Sequence, residues 1–418
     1  MKYWDTIDTL ATCKGLLKNE VCLLEKDFVQ YIGGKFAIGT SYGRTALYLG
    51  LKAIDVQNLD VIVPAFTCTV VRHAVVMAGG NPKFVDIDME DFTFDLHDLR
   101  QKISERTRAI ILIHYFGRVA RNMDDVIKIA KQNNIVLVED CAHSLGAEFY
   151  DKKIGTFGAF SVFSLTKSTI NFGGGILATT EDYIYQNARK ILEQEKNSIK
   201  RRIVDFPLIL AYGLEQIADK LVFDRVNKSI FKWWLINVPK LLVTLRRYII
   251  KSIKFPSSII RLGRRAHKPP SHHDKRKASS PYDQGIHMEP IIAALARTQL
   301  RKLDRLIEQR KNIYSDIAKV GSYHFKTSDQ FQGRDVYTHM VTRFPSTDIF
   351  KLIKKCKKRG VLLRPTWPTH QRLWEHQSTD NVRAIERQIV TWNVNPMLKP
   401  TEINNFIALL NECQSGTF

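Results

Sequence analysis

Residues 35–195 alternate short apolar runs with helix-patterned stretches, and this alternation constrains the fold more than any other sequence feature. The run RAIILIHY at Arg108–Tyr115 is β-branched and almost wholly apolar, as expected for a strand that is covered on both faces. The alternation predicts an α/β fold, with a mainly parallel sheet and helices on both of its faces. In such sheets, ligands bind beyond the carboxyl ends of the strands.

The pattern predicts seven strands in the first half of the chain: Lys35–Gly39, Asp60–Val63, Lys83–Val85, Arg108–Tyr115, Ile135–Val138, Ala159–Ser164 and Gly175–Thr179. Helices are predicted between them at Arg44–Ile54, Thr69–Ala78, Leu96–Ile103 and Asp124–Gln132. A long amphipathic helix is predicted from Met288, followed by a small α+β domain that extends to Phe418. We therefore divide the chain into a large domain at 1–195, an inserted segment at 196–281, and the long helix with the C-terminal domain at 282–418.

Composition excludes several classes of protein. The chain is 44% hydrophobic and 25% charged, which is typical of a globular protein and not of a disordered one. Its six cysteines form no CxxC pair, which argues against a disulfide scaffold or a structural zinc site and suits a reducing compartment. The N-terminus does not resemble a signal peptide, and no apolar stretch is long enough to span a bilayer. We expect a cytoplasmic protein without a metal.

The positive charge of the chain is concentrated in one segment. The formal net charge is +21, and residues 196–280 contain 20 Lys and Arg against 5 Asp and Glu, which leaves +6 for the other 333 residues. Within this segment, Lys240, Arg247, Lys251 and Lys254 fall within about 40° of one line along a predicted helix. Apolar residues occupy the other faces of that helix, and Trp233 and Trp234 lie upstream.

Three interpretations of the basic segment remain open. Residues 231–265 could lie in an anionic membrane surface, at the inner face of the membrane, as basic amphipathic helices do. The apolar face could instead pack on the body of the protein or on a dimer partner. Nucleic-acid binding is the least favoured, because aromatic residues are not interleaved along the basic run, and we expect no nucleic-acid partner.

Two neighbouring strand ends contain residues suited to cofactor chemistry. VEDCAHSLGA at 138–147 places Asp140 at the end of a buried strand, and FSVFSLTK at 160–167 ends in Lys167, shortly before the run NFGGG. A lysine can form a Schiff base with a carbonyl cofactor, and a carboxylate can keep the pyridine nitrogen of pyridoxal phosphate protonated. Taken singly, Asp140 could be a helix cap or ion-pair partner, and Lys167 a solvated amine. Their joint order and spacing favour the functional interpretation.

The sequence resembles the DegT/StrS family of pyridoxal-phosphate-dependent sugar aminotransferases, which have the aspartate-aminotransferase fold, fold type I. The blocks that carry the resemblance are GTSYGRTALYLGLKAI, DVIVPAFTCTVVRHAVVMAGGNPKFVDID, IHYFGRVARNMDDV, VEDCAHSLGA, SLTKSTINFGGGILATTE, MEPIIAALARTQLRKLDRLIEQR and WNVNPMLKPTEINNF. They cover roughly residues 30–195 and 282–412. The resemblance implies a seven-stranded, mainly parallel sheet, a smaller C-terminal domain, pyridoxal 5'-phosphate as cofactor, and a homodimer.

The resemblance also implies roles for individual residues. Lys167 is the catalytic residue that forms the Schiff base, and Asp140 pairs with the pyridinium nitrogen. His143 corresponds to a polar residue that contacts the cofactor ring or its 3'-oxygen. Tyr42, Gly43 and Arg44 lie where the family binds the phosphate. Some relatives that dehydrate sugars have a histidine in place of the lysine, and Lys167 argues against that activity.

Four positions depart from the pattern of the family. Arg44 stands where a small hydroxyl residue is usual, and its guanidinium can grip a phosphate. Val162 replaces a serine, and we expect Ser164 to supply the hydroxyl instead. Cys68 replaces the aromatic residue that usually covers the cofactor ring, and Gly285 lies where a partner-subunit asparagine is usual.

The resemblance implies transfer of an amino group, commonly from glutamate, to a keto sugar that is nucleotide-linked or otherwise belongs to glycan or polysaccharide biosynthesis. Two alternatives stay open. The chain could be a non-catalytic cofactor-binding protein, because of Cys68 and Gly285, or a membrane-associated regulatory or scaffold protein, because of the basic segment. Trp367 and His370 could line the sugar pocket.

Overall fold

The computed structural model of the chain describes residues 19–169, 171, 173–194, 286–319, 332–344, 348–366, 379–385, 388–394, 396, 398 and 400–414. The basic segment 196–281, Gly285, Trp367 and His370 lie outside the described residues. Our hypotheses on those positions, and the domain boundaries that depend on them, therefore remain predictions.

The main sheet has seven strands in the order β1-β9-β8-β5-β4-β2-β3. Strand β9 is antiparallel to both of its neighbours, and the other pairs are parallel. This confirms the predicted α/β fold with a mainly parallel sheet. The seven strands are β1 (Phe36–Thr40), β2 (Asp60–Pro64), β3 (Asn81–Val85), β4 (Thr107–Ile113), β5 (Val136–Asp140), β8 (Phe160–Ser164) and β9 (Gly175–Thr179).

Helices cover both faces of this sheet. In the first half of the described chain they are α1 (Glu20–Ile32), α2 (Gly43–Ala53), α3 (Thr69–Ala78), α4 (Leu96–Lys102), α5 (Met123–Gln132), α6 (Leu165–Ser168) and α7 (Asp182–Gln194). One buried cluster includes Leu24, Phe28 and Ile110, and the cluster on the other face includes Leu49, Val63 and Phe160. Burial on both faces explains why the strands are almost continuously apolar.

The C-terminal half begins with α8 (Pro290–Leu300) and α9 (Leu303–Ala318). Our prediction of one long helix from Met288 is wrong, because Arg301 and Lys302 form a turn that separates α8 from α9. Helix α8 packs against α1, where Arg297 pairs with Glu20 and Asp27. Leu303 and Ile307, after this turn, are buried in the same core cluster as Leu24 and Ile110.

A smaller α+β unit follows, as predicted. Its sheet has the order β11-β13-β12, and its core contains Met340, Trp392 and Phe406. The elements are β11 (His339–Arg343), α10 (Ile349–Lys358), β12 (Arg364–Pro365), α11 (Asp380–Ile385), β13 (Ile389–Asn393) and α12 (Pro400–Gln414). A third sheet joins β10 (Gly333–Arg334) to the hairpin of β6 (Glu148–Phe149) and β7 (Lys152–Lys153). Within the described ranges, no helix has the length and apolar character needed to cross a bilayer.

Candidate active site

The predicted site residues follow the carboxyl ends of parallel strands, which meet at one edge of the main sheet. Tyr42, Gly43 and Arg44 come after β1, and Cys68 comes after β2. Asp140 ends β5 and precedes His143, while Ser164 ends β8 and precedes Lys167 in α6. The fold thus brings together groups that lie up to 125 residues apart in the sequence.

The first turn and the glycine run are pressed against each other. Tyr42 forms a bridge with Gly174, and a Cβ on Gly175 would lie 2.2 Å from the carbonyl carbon of Tyr42. A Cβ on Gly43 would lie 3.2 Å from both the carbonyl oxygen of Phe163 and the Cβ of Ser164. Only glycine allows the backbone to approach this closely, so these glycines form a cradle between β1, β8 and β9.

Arg44 lies at the start of α2, with its guanidinium carbon 4.6 Å from the centre of the Tyr42 ring. Its Nε is buried and has no hydrogen-bond partner among the described residues. A buried donor without a partner is costly, and an anion bound at the start of α2 would satisfy it. The positive charge of Arg44 also reaches α3, where burial, Arg72 and Arg44 lower the pKa of His73.

Asp140 is 7% exposed, and its Oδ1 accepts a hydrogen bond of 3.0 Å from the amide of Ala142. Burial raises the pKa of Asp140 to about 6, while the Ala142 amide and the charges of His114 and Lys167 act in the opposite direction. Lys167 itself is exposed on the short helix α6. Asp140 and Lys167, an acid and an amine that interact electrostatically, therefore lie at the ends of the neighbouring strands β5 and β8.

His143 and Cys68 also lie within electrostatic range of Lys167. Burial lowers the pKa of His143 well below its usual value, and the charges of Lys167 and His339 lower it further. Burial raises the pKa of the Cys68 thiol, although the Val70 backbone and the charges of Lys167 and Arg44 oppose the shift. Cys68 precedes α3 as its N-terminal flanking residue, so a thiol occupies the position where the family pattern has an aromatic ring.

The two serines of β8, Ser161 and Ser164, differ in their burial. Val162 is buried within the strand, and Ser161 is fully buried with its Oγ donating to the carbonyl of Gly155 at 2.7 Å. Ser164 is half-buried at the strand end, beside Gly43, with its Oγ 3.1 Å from that of Thr166. Ser164 is thus the serine of β8 that lies at the edge with the other site residues.

Glu139 and His114 are buried polar residues that our sequence analysis did not single out. The carboxylate of Glu139 accepts hydrogen bonds from the amides of Gly155, Phe157 and Gly158. The ligand atoms of His114, Glu139 and Cys141 lie within 4.8 Å of one another. Because Glu139 already binds three amides and His114 Nδ1 accepts from the Ala120 amide, this cluster organises loops. The sequence signal that could have revealed this cluster is Glu139 itself, a second acidic residue next to Asp140 in an otherwise apolar strand.

Solved structures of aminotransferases have a fold similar to that of this chain. An aminotransferase from Psychrobacter cryohalolentis superposes with a TM-score of 0.70 at 17% identity, over 99% of this chain and 98% of that one. The fold is therefore that of the pyridoxal-phosphate-dependent transferases of fold type I, as the sequence predicted.

The sequence match to a family model lies in the N-terminal half of the chain. The sequence model of the DegT/DnrJ/EryC1/StrS aminotransferase family matches residues 8–205. An uncharacterized protein of Methanocaldococcus jannaschii is 35% identical over 188 residues, which are 44% of this chain and 48% of that protein. The GDP-perosamine synthase of Escherichia coli O157:H7 is 34% identical over 170 residues, which are 40% of this chain and 46% of that enzyme. The chain thus spans about half the length of these curated relatives.

Proposed function

We propose that this chain is a pyridoxal-phosphate-dependent aminotransferase that transfers an amino group, from glutamate, to a nucleotide-linked keto sugar in glycan or polysaccharide biosynthesis. The observation that carries the proposal is the placement of Lys167 and Asp140 at adjacent strand ends, within range of each other's charge. Neither group alone specifies this chemistry, but an amine paired with a buried acid is what the cofactor requires.

The residues at this edge fit the cofactor. The glycine cradle brings the backbone of Tyr42 and Gly43 close to Ser164, and the Arg44 Nε lacks a hydrogen-bond partner among the described residues, so the turn and the guanidinium are both suited to hold a phosphate. Asp140 provides a carboxylate for the pyridine nitrogen, and His143 provides a neutral imidazole for the ring or its 3'-oxygen. Cys68 and Tyr42 complete the set, with Cys68 contributing less contact area than an aromatic residue would.

Pyridoxal phosphate, when bound, supplies a carbonyl carbon for the amine and an electron-withdrawing ring. Asp140 would keep the ring nitrogen protonated, because its carboxylate is ionised near neutral pH and is largely shielded from water. Lys167 would bind the cofactor carbon, and its Nζ could accept a proton from the substrate carbon and return it. The first turn of α2 would hold the phosphate.

The substrate class is supported by the family and by a relative. The N-terminal half matches an aminotransferase family, and one relative is named GDP-perosamine synthase. A sugar linked to a nucleotide diphosphate is anionic, and the chain has a net charge of +21, of which +15 lies in residues 196–280. The substrate proposed is accordingly a nucleotide-diphosphate keto sugar, with glutamate as the amino donor.

The visible absorption spectrum of the purified protein with pyridoxal phosphate tests this proposal. We expect a yellow protein, covalent labelling of Lys167 after borohydride reduction and peptide mass spectrometry, and loss of the colour when glutamate is added. Lys167→Ala should remove both the label and the band, whereas Lys131→Ala, at an exposed lysine on α5, should retain both. A colourless wild type, or a label on another lysine, contradicts the cofactor assignment.

The non-catalytic alternative is favoured by one observation, the thiol of Cys68 in place of a ring. It predicts that glutamate leaves the yellow form unchanged, and that a panel of other amino donors does the same. Conversion to the pyridoxamine form by any donor excludes it. The same absorption measurement therefore distinguishes an aminotransferase from a non-catalytic cofactor-binding protein.

The remaining parts of the proposal concern assembly and location. We propose a cytoplasmic homodimer whose segment 231–265 contacts an anionic membrane surface, with support from the charge pattern of that segment alone. Vesicles with anionic lipid should co-sediment the protein, and the joint change of Lys240, Arg247, Lys251 and Lys254 to Glu should abolish co-sedimentation. Equal recovery of the variant supports packing of the segment instead. Sedimentation velocity measures the mass of the protein in solution, and we expect the mass of two chains.

A further inference from the structure

His339, the first residue of β11, stacks on the imidazole of His143. The ring centres are 5.1 Å apart and the ring planes differ by 27°. Phe116 lies beside both rings, with centres 5.9 Å from His143 and 6.2 Å from His339. A residue of the C-terminal unit thus contacts a side chain of the candidate site, across 196 residues of sequence.

The segment before β11 is anchored to the large sheet by hydrogen bonds and an ion pair. Asp335 is 5% exposed, pairs with Arg121 at 2.6 Å, and accepts from the Val119 amide at 2.9 Å. The Val336 amide donates to the carbonyl of Gly117 at 2.7 Å. These bonds hold Asp335 and Val336 against residues 117–121, the segment that follows β4.

The anchoring continues to His143 itself. The hydroxyl of Thr338 donates to the carbonyl oxygen of His143 at 3.1 Å, and His339 Nδ1 lies 3.1 Å from the same hydroxyl. Gly117 has a φ of +88°, and a Cβ there would lie 2.4 Å from the Thr338 amide nitrogen. Both the backbone and the ring of His143 are therefore in contact with the C-terminal unit.

We propose that His339 is a positioning residue, whose ring stacks on the His143 imidazole and sets its orientation toward the cofactor. The proposal rests on the proposed function, because His143 is the group assigned to the cofactor ring. It makes the C-terminal unit a structural component of the cofactor site rather than a separate cover. Neither the motif around His143 nor that around His339 indicates this contact.

A histidine side chain has two torsions, χ1 and χ2, and rotation about either one changes the orientation of the ring. Contacts with neighbouring groups are therefore needed to hold the ring in one orientation. Stacking against one flat ring and an edge contact with another leave His143 little freedom. The charge of His339 also acts, after burial and Lys167, to lower the pKa of His143, which keeps the imidazole neutral. A neutral imidazole is a hydrogen-bond partner with one donor and one acceptor nitrogen.

The test compares His339→Ala and His339→Phe with wild type, using the pyridoxal-phosphate dissociation constant and the histidine ring resonances of the cofactor-free protein. We expect His339→Ala to weaken cofactor binding by about 2- to 10-fold, the range expected for one lost aromatic contact. His339→Phe should bind within about twofold of wild type, because it retains a flat ring. His97→Ala, at an exposed histidine on α4, is the control and should change neither readout.

The resonances separate positioning from simple support of the fold. The ring protons of His143 should lose their ring-current shift in His339→Ala and retain one in His339→Phe. In both variants we expect the pKa of His143 to rise, because the charge of His339 has been removed. If His339→Ala unfolds, His339→Phe still tests the proposal. A ring-current shift of the His143 protons in that variant supports stacking, and its absence contradicts stacking.

The proposal is overturned if His339→Phe loses cofactor affinity as fully as His339→Ala, because the hydrogen bond to Thr338 would then be the essential contact. It is also overturned if the His143 resonances are the same in all three proteins. Failure of the proposed function looks different. In that case wild type would bind no pyridoxal phosphate, while the ring-current shifts in the cofactor-free protein would still report the stack.

Discussion

Arg310 Nη2, on helix α9, donates a hydrogen bond of 2.6 Å to the carbonyl oxygen of Ser168, the residue that follows Lys167. Arg310 is 3% exposed, and Ser168 is fully buried. The short helix α6 that carries the candidate catalytic lysine is therefore held from the C-terminal half of the chain. A four-residue helix has little stability of its own, so its position depends on such contacts.

Replacing Arg310 should alter the position of Lys167, although Arg310 bonds to the neighbouring residue Ser168. We expect Arg310→Met to lower the free energy of unfolding by about 1–3 kcal/mol, because the Ser168 carbonyl would be left buried without this donor. Borohydride labelling of Lys167 should also require a higher concentration of pyridoxal phosphate. Denaturant unfolding and labelling titrations measure the two effects. Lys311→Met, at the exposed neighbouring residue, should leave both unchanged, and equal behaviour of the two variants would contradict the proposed support.

Asp140 should make the cofactor-free protein more stable in acid than at neutral pH. Its pKa is about 6 in the folded chain against about 3.9 when unfolded, so the folded state binds more protons between these values. This contribution is fully present below about pH 4 and is lost as the pH rises through about 6. Asp140→Asn should therefore raise the free energy of unfolding at neutral pH by about 1–3 kcal/mol, and the gain should vanish below about pH 4.

The same substitution should abolish tight cofactor binding, because an amide cannot hold the pyridinium charge. Chemical unfolding across the pH range, with and without pyridoxal phosphate, measures both effects. Asp98→Asn, at a half-buried acid on α4 that pairs with Lys102, serves as the matched change of charge. A gain for Asp140→Asn that does not depend on pH would contradict the titration argument.

The two serines of β8 should fail in different ways. Ser164→Ala removes a hydroxyl at the sheet edge, and we expect phosphate affinity to fall by about 10-fold or more, as for a hydrogen bond to a charged group. Ser161→Ala removes the donor to the Gly155 carbonyl, and we expect a loss of about 1 kcal/mol of stability with cofactor affinity unchanged. Competition between inorganic phosphate and pyridoxal phosphate, together with thermal unfolding, separates them. Reversed outcomes would place the phosphate elsewhere.

The sequence was sufficient to predict the layered fold and the order of its elements. Apolar runs such as Arg108–Tyr115 predict buried strands because strands covered on both faces need no polar side. The observed strand ends at Ile113, and Tyr115 begins a tight turn in which Phe116 has a φ of +59°. Apolar pattern alone does not reveal such an end, since Tyr115 and Phe116 are buried like the strand before them.

The helix break at Lys302 shows a similar limit. The heptad-like pattern from Met288 to Ile317 is continuous, and neither glycine nor proline marks the interruption. The two helices are separated by a turn at Arg301 and Lys302, and Leu303 and Arg310 after it are buried. Local propensity favours one helix, whereas the packing of the folded chain favours two.

The sequence by itself determined the alternating fold, the order of the motifs, and the identities of Lys167 and Asp140 as an amine and an acid at strand ends. Only the tertiary structure decided which other residues support them. Arg310 and His339 lie 143 and 172 residues after Lys167, on elements whose local pattern records burial but not the neighbour. The physical reason is that periodicity reports which face of a helix or strand avoids water, while the partner on that face is chosen by packing of the whole chain.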